Sequence, residues 1–333
     1  MAGSTDLGGP AESVSPRPYR AAVGEKVAPP HPSRVDLHTH SRRSDGVLEP
    51  VELVRAAAAA GVRTLVLSDH DTLAGVRELL AAGPLPLDLI PGVEINSVAT
   101  AAERFWEGEL HILGLGVDPD DEAFETALQS QRDLRMARFR RIVARLDHLG
   151  LSIDRPVEQF LAVQGSAPGA SLGRPQIARC LVEAGHATSV DDAMRRLLGR
   201  GKPAYIARDG LGPSEAIAAI RTAGGVAVLA HFSEAAERPD VIRELIGAGL
   251  NGLEIHYRHF DATTVAALAR VARDLALVPT GGSDFHGDGE TYAEAHAGLY
   301  VPDEDATALG AALAAEPGRA AGPTTRRPSG LRS

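Results

Sequence analysis

Cysteine is nearly absent from this sequence. Cys180 stands alone, so no disulfide can form within the chain and a thiolate-rich zinc site is excluded. Cys180 itself reads as a small buried apolar residue on a helix. Aromatic side chains are scarce at 4%, so the core has to be assembled from Ala, Leu, Val and Ile. No apolar run approaches the length of a membrane span, and the first residues lack the apolar stretch of a signal peptide; the expected location is the cytoplasm. Positive charge is in deficit, with 34 Lys and Arg against 44 Asp and Glu. The resulting net charge of -10 opposes broad attraction to duplex nucleic acid. An anionic ligand must therefore be held by metal ions or by a local cluster of arginine.

A chain of 333 residues can fill one barrel-sized domain or two smaller ones. Residues 1–32 are rich in Gly, Pro, Ser and Ala, lack periodicity and end in Pro29, Pro30 and Pro32; a disordered leader is expected. Residues 318–333 read as a loose tail. Between them, strand patterns at 34–37, 64–67, 88–95, 110–114, 226–230, 252–256 and 277–281 alternate with helical patterns at 50–60, 72–82, 213–223, 239–248 and 261–275. This rhythm predicts a parallel α/β sheet wound into a barrel or near-barrel. From about Asp120 to Pro203 only helical patterns occur. The expected organisation is thus a barrel from 33–119 and 204–317, interrupted by a helical insertion at 120–203.

The chemistry gathers at the strand ends. His38-Thr39-His40 closes the first strand, with Asp45 soon after, and His70 follows the second. Glu94 lies on the third, His111 on the fourth and His231 after the fifth. Asp284-Phe285-His286 follows the last. Spacing of two places both side chains on one side of a strand, and in a barrel the carboxyl ends of the strands converge on one pocket. Six of the 12 histidines and three acidic residues share this placement. Imidazole and carboxylate without thiolate suit divalent ions such as Zn, Mn or Fe in a hydrolytic centre. Asp36, Asp69 and Asp71 flank the set, either orienting imidazoles or capping turns. His256 and His259 follow another strand end and are candidates for the pocket. His31, His148, His186 and His296 read as structural or exposed.

The runs Asp36-Leu37-His38-Thr39-His40, Ser44-Asp45-Gly46, Ser68-Asp69-His70-Asp71-Thr72, Pro91-Gly92-Val93-Glu94-Ile95 and Gly282-Ser283-Asp284-Phe285-His286 resemble the polymerase and histidinol phosphatase (PHP) superfamily, from about Arg34 to Pro302. The resemblance implies a distorted (βα)7 barrel around three divalent ions, manganese foremost, with Zn, Fe or Mg as alternatives. It places His38, His40, Glu94 and Asp284 on one ion, and Glu94, His111 and His231 on a second. Asp45, His70 and His286 take the third. The insertion, with Gly173-Arg174-Pro175-Gln176-Ile177-Ala178-Arg179 and Gly201-Lys202-Pro203-Ala204-Tyr205, is similar to the nucleoside 3′,5′-bisphosphate phosphatases and the RNase AM type of 5′-to-3′ exoribonuclease. One departure is Ser97–Gly108, longer than in those relatives.

Although the chain is acidic, residues 131–205 hold 13 Lys and Arg against 7 Asp and Glu. Arg138, Arg141 and Arg145 form one helical stripe. Together with the resemblance, this makes Arg138, Arg141 and Arg174 the expected phosphate-binding residues, since a guanidinium matches phosphate oxygens. The reading is a phosphatase acting on nucleotides such as 3′,5′-bisphosphates, or on the 5′ ends of short RNA. Water activated between two divalent ions would serve as nucleophile. A histidinol phosphatase would use the same ligands but leave the basic insertion without a task. A polymerase-associated domain would sit in a much longer chain. A non-enzymatic sensor or scaffold would be expected to lack ligands, and none is missing.

Overall fold

The computed structural model describes residues 32–99, 108–163 and 169–316. Apart from Pro32, the expected leader lies outside them, as do the tail at 318–333 and most of the Ser97–Gly108 stretch. Seven strands pair in chain order: β1 (Val35–Asp36), β2 (Thr64–Leu67), β3 (Asp88–Val98), β4 (Glu109–Leu115), β5 (Val226–Leu229), β6 (Gly252–Tyr257) and β7 (Val278–Gly282). The last meets the first through Leu37 N–H to Gly281 O (3.0 Å), Asp284 N–H to His38 O (2.8 Å) and His40 N–H to Phe285 O (3.1 Å). The sheet is thereby nearly closed into a barrel. Gly282 permits that approach, because a Cβ there would stand 2.5 Å from the His38 nitrogen.

The expectation of a wholly parallel sheet is corrected at one strand: β4 runs antiparallel to both β3 and β5. The link from Val98 to Glu109 is shorter than the dozen or so residues a parallel crossover needs. The first residues of β4, rather than its last, therefore lie beside the carboxyl ends of its neighbours. This is how His111 comes to share a pocket with His38 and Glu94.

Period-two patterning separates the two faces of the sheet. Leu65 and Leu67, Val93 and Ile95, Ile112, and Ala227 and Leu229 pack outward. Their partners are α1 (Pro50–Ala59), α2 (Ala74–Ala81), α7 (Pro213–Thr222), α8 (Pro239–Gly247) and α9 (Ala262–Asp274). Inward go Leu37, Val66, Leu113, Leu115 and Val228, joined by Leu309 and Leu313 of α11 (Asp303–Ala315). The sequence reading did not anticipate α11, an Ala-rich segment with only these two leucines to mark a buried stripe. Between the outward Val93 and Ile95, Glu94 is forced inward and is fully buried.

Between β4 and β5 the described elements are helical: α3 (Glu122–His148), α4 (Asp154–Val163), α5 (Arg174–Glu183) and α6 (Val190–Ala193), which runs into one wide π-helical turn at Met194–Leu198. The Asp121 side chain caps α3 by accepting from Phe124 N–H at 2.7 Å. Phe124 and Leu128 of α3 pack into the barrel cluster. Farther along, Phe139, Ile142 and Leu146 build a separate apolar core with Ile153, Ile177, Leu181 and Leu198. One 27-residue helix therefore ties the helical elements to the barrel. Among the described residues no helix is long and apolar enough to cross a membrane.

Candidate metal centre

The nine residues singled out in the sequence converge at the carboxyl end of the barrel in three overlapping groups: His38, His40, Glu94 and Asp284; Glu94, His111 and His231; and His40, Asp45, His70 and His286. Glu94 is central. Its Oε2 lies 3.2 Å from His38 Nε2, 3.1 Å from His40 Nε2 and 3.0 Å from His70 Nδ1. Its Oε1 lies 2.8 Å from His111 Nδ1 and 3.2 Å from His231 Nε2. Asp45 reaches His286 Nε2 at 3.2 Å and His70 Nε2 at 3.5 Å. Besides the three groups that the resemblance implied, His40 also falls within reach of the Asp45 group.

This packing makes poor sense as hydrogen bonding alone. His38 Nδ1 faces Glu254 Oε1 at 3.0 Å; with its proton there, the Nε2 lone pair points at His40 Nε2 (3.1 Å) and at two carboxylates. Asp45 Oδ1, His70 Nδ1 and Glu94 Oε2 are buried without a hydrogen-bond partner among the described residues. Orphaned lone pairs converging from several sides are costly unless a cation lies among them. The donor set fits divalent ions of intermediate hardness. Charge points the same way. Burial pushes the carboxyls of Asp45, Glu94 and Asp284 up, yet the surrounding imidazoles, led by His70 for the first two and His38 for the third, hold all three well below the carboxylate range. Burial lowers the affinity of His38 for a proton, but Glu254, Asp284 and Glu94 together raise it well above the ordinary value.

Three of the four non-glycine residues with positive φ among the described residues sit in or beside this cluster: Asp71 (52°), His231 (33°) and Asp284 (48°). Local strain of this kind is tolerated where surrounding contacts over-determine it. For His231 the contact is Glu254, whose Oε2 accepts the His231 N–H at 2.7 Å. Sequence reading missed Glu254, although a lone acidic residue inside the apolar run Gly252-Leu253-Glu254-Ile255 is itself a signal. Asp284 is further steadied by the Tyr257 hydroxyl, which donates at 3.2 Å.

Among the described residues, none of the three flanking carboxylates orients an imidazole by a hydrogen bond. Asp36 accepts from Ser283 N–H, Ser283 Oγ and Tyr292 OH, pinning β7 to β1. Asp69 accepts from Ser41 and Ser44, shaping the loop that carries Asp45. Asp71 takes Arg135 at 2.8 Å. His256 does not join the pocket: β6 bulges between Glu254 and His256, and its Nε2 faces Asp305 of α11 at 3.4 Å. His259 packs edge-on against Tyr257. His296 is buried and stacked on Tyr292 in α10 (Tyr292–Ala297).

The arginines beside the cluster are not the expected trio. A cavity of about 200 Å³ is lined by Asp45, His70, Glu94, His111, His231, Asp284 and His286 together with Arg135, Arg174 and Arg208. Arg174 lines it as expected. Arg141 is on the exposed side of α3, 3.7 Å from an equally exposed Asp209. Helical phase explains this: the buried face of α3 runs through Arg132, Arg135, Arg138, Phe139, Ile142 and Leu146, and Arg141 is turned about 120° from Arg135. Arg138 is buried, 3.5 Å from Glu109, and is not among the residues that line the cavity. Glu109 also stands 3.4 Å from Arg174 and 3.5 Å from Arg208. Burial raises the Glu109 pKa, but these arginines outweigh it and hold the carboxyl at about 2. Asn96 links the two halves of the site: its Oδ1 accepts from Arg135 at 2.9 Å and its Nδ2 stands 2.6 Å from His111 Nε2. From α5, Gln176 donates to Ser44 O (2.6 Å) and Arg179 to Asp45 O (2.5 Å), so the insertion grips the loop that bears Asp45.

Residues 36–153 match the PHP domain. Over 259 residues the chain is 36% identical to a 5′-3′ exoribonuclease of Haemophilus influenzae, covering 76% of this chain and 90% of that one. The chain belongs to the PHP family. Within that family it is also 32% identical over 271 residues to a 3′,5′-nucleoside bisphosphate phosphatase of Chromobacterium violaceum, covering 78% and 89% of the two chains. A solved structure from Bifidobacterium adolescentis, assigned as a metal-dependent phosphoesterase, aligns with a TM-score of 0.71 at 28% identity over 85% of this chain and 96% of that one. The PHP-type distorted barrel expected from the motifs is borne out. The chain is a hydrolase of phosphate esters built on a metal-dependent fold.

Proposed function

We propose that this phosphoesterase breaks the P–O3′ bond of nucleotides carrying a second phosphate at the 5′ position: nucleoside 3′,5′-bisphosphates, such as adenosine 3′,5′-bisphosphate going to AMP, and the 5′ ends of short RNA. The observation that carries this reading is the arginine cluster beside the imidazole cluster in one cavity. A substrate with a single phosphate, such as histidinol phosphate, would leave the arginines unmatched. Two of the curated relatives bear names for these two activities, and both substrates present the same pair of phosphates around one ribose.

In this reading His38, His40, Glu94 and Asp284 hold one divalent ion, Glu94 with His111 and His231 a second, and Asp45, His70 and His286 a third, manganese being the preferred metal. Bound there, the ions supply an activated water and a positive field for the charge that builds on the phosphoryl oxygens. Glu94 spans two of the groups and fixes their spacing. Arg174 and Arg208 bind the second phosphate, and Asp71 with Asn96 orients Arg135 toward the cavity. Protein purified without chelator and reloaded with manganese should carry more than one ion per chain by elemental analysis; a content of one or less would overturn the multinuclear assignment.

Recognition and chemistry separate by substrate. Arg174→Ala and Arg208→Ala should lower kcat/KM for adenosine 3′,5′-bisphosphate about ten- to a hundredfold more than for a chromogenic phosphate ester with no second phosphate. Arg141→Ala should leave both values unchanged. Equal losses on the two substrates would assign the arginines a general electrostatic role and remove the support for a two-phosphate substrate.

A further inference from the structure

Among the arginines around the cavity stands one carboxylate whose position matches that of a ligand. Glu109, the first residue of β4, lies 3.4–3.5 Å from guanidinium nitrogens of Arg138, Arg174 and Arg208 at once. These are loose contacts for ion pairs. Arg138 and Arg208 are each more than nine-tenths buried, and the nitrogen of each that faces Glu109 at 3.5 Å, Arg138 Nη2 and Arg208 Nε, has no hydrogen-bond partner among the described residues. Guanidinium groups buried with unspent donors form an anion site, and Glu109 fills it only in part.

The charge count gives this arrangement a specific consequence. Four guanidinium groups, Arg135, Arg138, Arg174 and Arg208, face two carboxylates, Asp71 and Glu109. Two positive charges remain uncompensated. A phosphate monoester carries about two negative charges at neutral pH; a triphosphate end carries roughly twice that, and a hydroxyl end none. Glu109 thus trims the cluster to the charge of one terminal phosphate.

We propose that Glu109 sets which 5′ end the site accepts, favouring a monophosphate over a triphosphate by repelling the additional negative charge. The inference rests on the nucleotide reading given above. Repulsion grows with the charge brought in, so Glu109 opposes a triphosphate most, a monophosphate less and a hydroxyl not at all. Removing its charge should steepen the dependence of turnover on end charge. A Glu109 that merely ordered the arginines would, when replaced, weaken their hold on phosphate and make that dependence shallower.

The test uses the manganese-loaded full chain and one short RNA prepared with a 5′-hydroxyl, a 5′-monophosphate or a 5′-triphosphate, with kcat/KM measured on each. In Glu109→Gln the triphosphate-to-monophosphate ratio should rise about tenfold, because a like charge brought close to a buried one costs more than the ~1.4 kcal/mol that corresponds to tenfold. The monophosphate-to-hydroxyl ratio should rise as well. Glu109→Asp keeps the charge and should retain both wild-type ratios. Glu109→Ala removes the charge at a different volume and must move both ratios in the same direction as Gln, which guards against a misfolded Gln variant. Unchanged or falling ratios in Gln and Ala, or the same shift in Asp, would overturn the inference while leaving the nucleotide reading in place. A wild-type protein that turns over neither the RNAs nor adenosine 3′,5′-bisphosphate would remove the nucleotide reading and this inference with it.

Discussion

Glu94→Gln should lower turnover of any phosphate ester by about three orders of magnitude or more while leaving the fold intact. The side chain is fully buried, and its two oxygens face five imidazoles. Gln keeps the volume and one oxygen, so the packing between Val93 and Ile95 is undisturbed. It loses the negative charge shared by two of the three groups. Ions in such a centre supply several kcal/mol of transition-state stabilisation, and each ~1.4 kcal/mol is a tenfold change in rate. Far-ultraviolet circular dichroism and phosphate release measured on the same preparation check the result. A folded variant with a tenth or more of wild-type turnover would place the shared carboxylate elsewhere.

The sequence revealed the candidate ligands more readily than the means by which they are held. His38-Thr39-His40, Glu94 and Asp284-Phe285-His286 could be read because two-residue spacing puts both side chains on one side of a strand, and because six histidines and three acidic residues share strand ends or the loops just after them. The direction of β4 was hidden, since strand patterning does not encode polarity. The outward position of Arg141 was hidden for a related reason. Counting basic residues finds a stripe on α3, but which side of the helix turns inward is decided by Phe139, Ile142 and Leu146, and these select Arg135 and Arg138 over Arg141. Arg208 and Glu109 lie on other segments, and only the tertiary fold brings them to α3. The two-phosphate reading therefore depends on contacts that no local pattern contains.

Glu254 illustrates the same limit and carries the second large effect. Its two oxygens join residues from two different groups: Oε1 takes His38 Nδ1 at 3.0 Å, and Oε2 takes the backbone N–H of His231 at 2.7 Å, where that residue is held at positive φ. Without Glu254 the His38 ring loses the contact that fixes its tautomer, and a buried N–H is left unpaired at a cost of about 1–3 kcal/mol. Partners of this kind tune metal affinity by roughly ten- to a hundredfold. Glu254→Ala should therefore weaken manganese binding to metal-free protein by about that factor, followed by calorimetry or by the loss of the free-ion electron paramagnetic resonance signal. Glu254→Gln keeps an oxygen for His231 or for His38, though not a charge, and should fall between Ala and wild type. A general loss of stability would lower the melting temperature of the metal-free variants in proportion to the loss of affinity. A positioning role would instead lower affinity out of proportion to the modest fall in melting temperature that the unpaired N–H causes. Wild-type manganese affinity in a folded Glu254→Ala protein would mean that His38 and His231 are oriented by the barrel alone.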